Sequence, residues 1–392
     1  MILPRRAQFP AYSPVRFRGL VAGLGALFRP GAGYPGRATR ALRDTYGAGT
    51  ILLTDSGTSA LALALRASSR GGRDPVALPA YGCFDLATAA LAAGVRVFLY
   101  DLDPETLAPP PGALSGMVAR GAAAVVTVHQ YGIPADTSEL ASAAGSSGTV
   151  WIEDAAQGAG GSLKGRPLAA TGAYGVLSFG RGKGMTTGAG GALLMNDETA
   201  TIPREIADAV DDAGAGFDTW LRCLALWILA RPAVYWIPAS LPFLRLGETI
   251  FREPAPPRGL SRAAAAMLPG ALEAAGVEAA RRRSNAAWLL ARLPAEGAAR
   301  IRIPAEADAG YLRLPVLVPP AVRARADGST GRRLGIAGGY PAGLHRLPRF
   351  QDQILNREDS FPGTEMLVRS LITLPVHSRL SRTDLERIVA WL

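Results

Sequence analysis

Lysine is nearly missing from this 392-residue chain: of its 42 Lys and Arg residues, only Lys164 and Lys183 are lysine. Histidine stops at His129, His345 and His377, and cysteine at the widely separated Cys83 and Cys223. That scarcity argues against a disulfide framework and a dedicated zinc site, so no metal is expected. Long apolar runs are also missing. The N-terminal "GLVAGLGALF" is too short to span a bilayer, and no small-residue cleavage site follows it. These features fit a cytoplasmic, reducing setting. Aromatic residues make up 7% of the chain and do not interleave with the basic ones, which are scattered apart from Arg281-Arg282-Arg283. The formal charge of +10 therefore predicts no nucleic-acid partner. It fits an anionic substrate, an anionic membrane surface, or a compositional bias toward arginine.

With 48% hydrophobic and 19% charged residues, the chain reads as a globular enzyme. From about residue 49 to 200, apolar runs alternate with Ala/Leu-rich stretches. "TILLTD", "PVALPA", "VRVFLYD", "AAAVVTVH", "TVWIED", "YGVLSF" and "GGALLMN" read as strands. "TSALALALRASS", "LATAALAAG" and "TSELASAAG" read as helices. Unbroken apolar strands separated by helices predict an α/β fold, with a mostly parallel sheet covered on both faces. Ligands in such sheets sit at the carboxyl ends of the strands. Composition changes near 211. The expected organisation is a large ligand-binding domain with an N-terminal arm (1–210), a Trp/Pro-rich apolar insertion (211–257) and a smaller C-terminal α+β domain (258–392). The last helix should start at Ser381, with Asp384 completing a capping-box-like turn.

Why keep a lysine in "SFGRGKGMTTGAGG"? Arginine binds phosphate or carboxylate better, but only lysine offers an amine that can attack a carbonyl. A Walker loop is excluded, because position 177 is Leu and neither Ser nor Thr follows Lys183. The pattern G-x-G-x-x-G fails at position 185. Elsewhere, Gly57, Thr58 and Ser59 open a helix whose free N–H groups suit a phosphate, although a plain N-cap would read the same way. Glu153 and Asp154 end a strand facing opposite sides. A carboxylate there meets either a ligand cation or a structural arginine. Ser178 ends another strand five residues before Lys183. Pyridoxal 5'-phosphate uses all these parts: a phosphate for the helix N-terminus and Ser178, a ring nitrogen for Asp154, and an aldehyde for Lys183.

The segments "SGTSALALAL", "ALPAYGCFDLATAALAAGVRVFLYDLDPETL", "VHQYGIPADTSEL" and "IEDAAQGAGGSLKGRPLAATGAYGVLSFGRGKGMTTGAGGALL" resemble the DegT/StrS family of pyridoxal-phosphate-dependent sugar aminotransferases. "YLRLPVLVP", "YPAGLHRLPRF" and "LITLPVHSRLSRTDLERIV" resemble its small-domain signatures more loosely. The resemblance implies the aspartate-aminotransferase fold (fold type I), with Lys183 as the Schiff-base lysine and Asp154 as partner of the pyridine nitrogen. Gln157 would lie beside the ring, and Thr58, Ser59 and Ser178 would hold the phosphate. It further implies transfer of an amino group from an amino acid, glutamate above all, to a nucleotide-linked keto sugar by a homodimer. His129, Tyr340 and His345 are candidates for the substrate pocket.

The chain departs from the family at three places. Cys83 stands where an aromatic residue usually covers the ring, leaving the stacking lost or passed to Phe84. "RGLSR" stands where an Asn/Arg stretch usually reaches the phosphate from the second subunit, and 211–257 has no counterpart. That insertion suggests either a helical excursion packed on the core or a peripheral membrane contact through 220–246, with Trp220, Trp227 and Trp236 at the interface. Two other functions remain open: a different fold-type-I reaction on a small amino acid, and a non-catalytic binding or regulatory protein.

Overall fold

The computed structural model describes residues 7–70, 72–140, 147–197, 200–207, 210, 214–239 and 249–392. The helix expected over "TSELASAAG" lies partly outside the described residues, as do 211–213 and 240–248 of the insertion. The strands in chain order begin with β1 (Thr50–Thr54), β2 (Val76–Pro79), β3 (Val97–Tyr100), β4 (Ala124–Val128) and β5 (Val150–Asp154). They continue with β6 (Ser162–Leu163), β7 (Arg166–Pro167), β8 (Tyr174–Ser178) and β9 (Gly191–Met195). The main sheet has seven strands in the order β1-β9-β8-β5-β4-β2-β3. Strands β3, β2, β4, β5 and β8 pair in parallel, whereas β9 lies antiparallel to both β8 and β1. The sheet is thus mostly parallel, with the one reversed strand following the Lys183 loop.

Both faces are covered, which is why the strands read as continuous apolar runs. Helices Gly57–Ser68 and Asp85–Ala93 bury Leu61, Leu63 and Leu86 with Val76, Leu78, Ile152 and Val176 on one face. Helices Tyr34–Tyr46 and Arg262–Leu290 bury Leu42, Ala264 and Leu268 with Leu177 and Leu194 on the other. A fully buried leucine such as Leu268 contributes about 1.5–3 kcal/mol.

The Ala/Arg-rich stretch after 258 is one helix of 29 residues that continues through Pro269. Ser261 caps it by accepting from the Ala264 N–H at 3.4 Å. The expected boundary at 258 falls just before this helix, which runs from the large sheet's core to that of the C-terminal region. Strands β10 (Ala299–Arg300), β11 (Ala307–Asp308), β12 (Leu314–Leu317), β13 (Ala337–Gly338) and β14 (Leu371–Leu374) follow. Four of them form an antiparallel sheet, β10-β12-β14-β13, while β11 joins β6 and β7 in a small separate one. The closing helix Arg382–Trp391 starts with a full capping box between Ser381 and Asp384.

Within 211–257 the chain forms helices Phe217–Leu229 and Pro232–Ala239, and the first lies against helix Phe17–Phe28. No helix among the described residues is long and apolar enough to cross a membrane.

Candidate functional site

The carboxyl ends of β4, β5 and β8 carry His129, Asp154 and Ser178. Alternation along β5 sends Glu153 and Asp154 to opposite faces, as expected. Asp154 is 7% exposed. Its Oδ1 accepts the Ala156 N–H at 2.8 Å, and its other oxygen accepts nothing from the described residues. Burial raises its pKa above the ordinary value, and the neighbouring Asp85 adds to this. The Ala156 N–H and the fields of Lys183 and His129 oppose the rise without cancelling it. Asp154 is therefore a desolvated carboxylate with one free acceptor and a lysine within electrostatic reach, which suits a cationic heterocycle.

Ser178 meets the start of helix Gly57–Ser68. A Cβ built on Gly57 would lie 2.8 Å from Ser178 Cβ and 3.2 Å from its Oγ, so only glycine lets the two approach. Ser56 is the N-cap, and its Oγ accepts from the Ser59 N–H at 3.0 Å and lies 2.9 Å from Ser59 Oγ. Thr58 is half-buried on the same turn. A helix N-terminus, a hydroxyl and a missing Cβ form a cradle whose donors suit a phosphate. Beside it, "RGLSR" returns within the same chain: the Asp55 N–H donates to the Arg258 carbonyl at 2.8 Å. A concavity there is lined by Asp55, Gly190, Asp218, Arg222, Arg258 and Ser261.

The Lys183 loop is tied down from the N-terminal arm. Ser13 Oγ donates to the Lys183 carbonyl at 2.5 Å. Arg282, fully buried, donates to the carbonyls of Tyr12 at 2.6 Å and Gly184 at 3.4 Å. The lysine itself is half-buried.

Gln157 and Tyr340 come together, joined by three residues that sequence reasoning missed. Gln157 Nε2 donates to the Tyr340 hydroxyl at 2.7 Å, and its Oε1 accepts the Tyr131 N–H at 3.0 Å. Tyr131 stacks on Tyr340 with centroids 5.5 Å apart and shares a 3.0 Å hydroxyl contact with Tyr81. Tyr131 holds φ at +55°, a left-handed conformation that costs a tyrosine of the order of 1 kcal/mol. Arg313 exerts its field on all three tyrosines and leaves its buried Nε without a partner among the described residues. The signal in the sequence was an arginine interrupting the apolar run "YLRLPVLVP".

The two histidine candidates fare differently from Tyr340. His129 has both ring nitrogens engaged: Nδ1 accepts the Ala135 N–H at 3.1 Å and Nε2 meets Glu153 Oε1 at 2.8 Å. This leaves it no valence for a substrate and makes it the buried partner of Glu153. His345 sits on a separate turn, bonded through Nε2 to Glu365 at 2.9 Å and packed against Phe361. Neither was distinguishable in sequence from a pocket residue. Phe84 is buried in the apolar cluster of helices Gly57–Ser68 and Asp85–Ala93. Cys83 lies in the field of Lys183 with Sγ 3.5 Å from Asp85 Oδ2, and burial pushes its thiol up to about 12.

Comparison with known proteins bears on this geometry. A profile of the DegT/DnrJ/EryC1/StrS aminotransferase family matches residues 37–210 and 258–392, leaving out 211–257. An L-glutamine:scyllo-inosose aminotransferase of Streptomyces griseus is 33% identical over 172 residues, 44% of this chain and 41% of the relative. An L-glutamine:2-deoxy-scyllo-inosose aminotransferase of Streptoalloteichus tenebrarius is 31% identical over 285 residues, 71% of this chain and 62% of the relative. Each match thus spans less than two thirds of the relative's own length. Among solved structures, AtS13 of Actinomadura melliaura superposes with a TM-score of 0.74 at 22% identity, covering 98% of both chains. The chain belongs to the DegT/DnrJ/EryC1/StrS aminotransferase family, whose fold it has and whose members depend on pyridoxal phosphate.

Proposed function

We propose that this protein is an aminotransferase that moves an amino group from an amino acid, glutamate or its amide, to a keto sugar carried on a nucleotide. The observation that carries this reading is the free oxygen of Asp154, a buried residue in the field of Lys183 and on the same sheet face as Ser178. The cofactor would supply an aldehyde for an amine and a ring that accepts the electrons of an α-carbanion. Gly57, Thr58 and Ser59 would hold its phosphate by backbone and hydroxyl donors, with Ser178 closing the cradle. Asp154 would keep a proton on the ring nitrogen through its free oxygen. Lys183 would anchor the cofactor through Nζ and, once displaced by the donor amine, carry a proton from the donor's α-carbon. Gln157, fixed at both ends, would form one wall beside the ring.

Arg313 is proposed to receive the donor's carboxylate, since its Nε is buried without a partner among the described residues and its charge acts on Tyr340, the partner of Gln157. Arg258 beside the phosphate cradle would suit the sugar nucleotide's diphosphate. The names of the relatives support a keto-cyclitol or keto-sugar acceptor. A homodimer is proposed, in a cytoplasmic setting.

The test is trapping. Borohydride reduction after incubation with pyridoxal phosphate should add a pyridoxyl group to the peptide bearing Lys183. Glutamate alone should shift the holoenzyme's absorbance to that of the aminated cofactor. A label elsewhere, or a Lys183→Arg protein with full transaminase activity, would overturn the reading.

A further inference from the structure

Among the described residues, seven of the eleven exposed large apolar side chains lie on two helices, a concentration that scattered surface residues would not give. Helix Phe17–Phe28 exposes Phe17, Val21, Leu24 and Phe28, spaced so that all four stand on one stripe. Helix Phe217–Leu229 exposes Phe217, Leu221 and Ile228 with the same period. Phe28 is 79% and Phe17 62% exposed. The helices run antiparallel, with Trp220 Nε1 donating to the Leu20 carbonyl at 2.9 Å and the Phe17 ring 5.8 Å from Trp227. Both stripes therefore flank one seam. Of the three tryptophans expected at the interface, Trp220 and Trp227 are packed partly buried in that seam, and Phe17 and Phe28 supply outward anchors instead.

Among the described residues around this face, cations outnumber acids, and the two acids, Asp218 and Glu273, are each paired with an arginine. Arg18 is the only charged residue of helix Phe17–Phe28, and Arg29 follows it directly. Both are exposed and pair with no carboxylate among the described residues. Arg231 stands over the Trp227 ring at 5.7 Å. Asp218, the one acid on either helix, is bonded to Arg222 at 3.2 Å. We propose that this face docks the protein on an anionic lipid bilayer, with both helices lying in the interface plane and not crossing it. A second copy of the chain fits less well. An isologous contact would bring Arg18, Arg29 and Arg231 of both copies into one interface, with no free carboxylate on either helix to offset them.

The test uses the full-length holoenzyme and sedimentation with phosphatidylcholine vesicles, with or without phosphatidylglycerol. Binding is expected only with phosphatidylglycerol, and it should weaken as salt is raised. Arg18→Gln and Arg29→Gln, both at exposed positions, should each weaken it about fivefold. Leu24→Asp with Leu221→Asp should abolish it, with transamination of a soluble substrate unchanged. Absence of binding to either vesicle, or binding unaffected by all four substitutions, would overturn the proposal. So would conversion of a dimer to monomer by the Leu24 and Leu221 substitutions in light scattering, which would assign the face to a second copy.

Discussion

Gln157 donates to the hydroxyl of Tyr340 across 2.7 Å, a bond between the loop after β5 and the segment after β13. With the Tyr131 N–H on its other end, the amide has no freedom to turn. A side chain held at both ends needs no reordering when a flat ring comes to lie beside it.

Tyr340→Phe should therefore leave Gln157 Nε2 without its acceptor while preserving the stack on Tyr131. A buried donor left unpaired costs about 1–3 kcal/mol, and this should appear as a lower melting temperature. The glutamate half-reaction should slow about tenfold or more in stopped-flow absorbance. An unchanged rate would remove Gln157 from the site.

Asp154 should oppose stability and function. Its pKa in the folded, cofactor-free protein is raised by burial. The stability this contributes is complete below the unfolded carboxylate value of about 3.9 and lost as pH rises through the folded value. Cofactor-free Asp154→Asn should accordingly melt above the parent at neutral pH, the gap closing in acid, while the half-reaction falls about hundredfold. An Asn protein less stable than the parent at neutral pH would contradict the burial argument.

Glu153, the adjacent carboxylate, should behave in the reverse sense. Burial pushes its pKa up, but the His129 bond and charge and the backbone donors around Gly172 outweigh this and leave it lowered. The Thr171 and Gly172 N–H groups donate to its Oε2 at 2.8 and 3.1 Å. Its contribution is present above the unfolded value of about 4.3 and lost as pH falls through the folded one. His129→Phe should cost about 3–5 kcal/mol in urea unfolding at neutral pH, because it strands a buried charge. KM for the acceptor should stay unchanged if holoenzyme is compared with holoenzyme.

Arg313→Met should raise KM for the amino-acid donor about tenfold or more, the worth of a hydrogen bond to a charged group. Melting temperature should change little, since its one side-chain hydrogen bond among the described residues, to Thr373 Oγ1, is 3.4 Å long. A variant with unaltered donor KM would place the carboxylate elsewhere.

Cys83 should remain a thiol at neutral pH, because burial and Asp85 raise it to about 12 against the opposing field of Lys183. Its iodoacetamide labelling, followed by mass spectrometry, should show no rise through pH 8.5, where an ordinary cysteine ionises. Labelling that climbs there would mean that the pocket around Lys183 is wetter than its packing indicates.

Strands β1 to β5, β8 and β9 were legible because each is an apolar run of five or so residues closed by glycine or a polar end. Lys183, Asp154 and Ser178 were legible for a chemical reason. An amine, an acid and a hydroxyl at strand ends or just beyond them are costly there without a ligand. The sequence by itself thus determined the strands of the sheet, the helices Gly57–Ser68 and Asp85–Ala93 on one face, and which groups stand at strand ends, but not helix Tyr34–Tyr46 on the other face. Only the tertiary structure decided what those groups meet, since hydrogen-bond valence depends on contacts between residues far apart in the chain. His129 is closed off by Glu153, and Tyr340 reaches Gln157 from 183 positions away. Helix Phe17–Phe28 likewise shows its apolar stripe as a surface only once helix Phe217–Leu229 has packed beside it and covered Leu20.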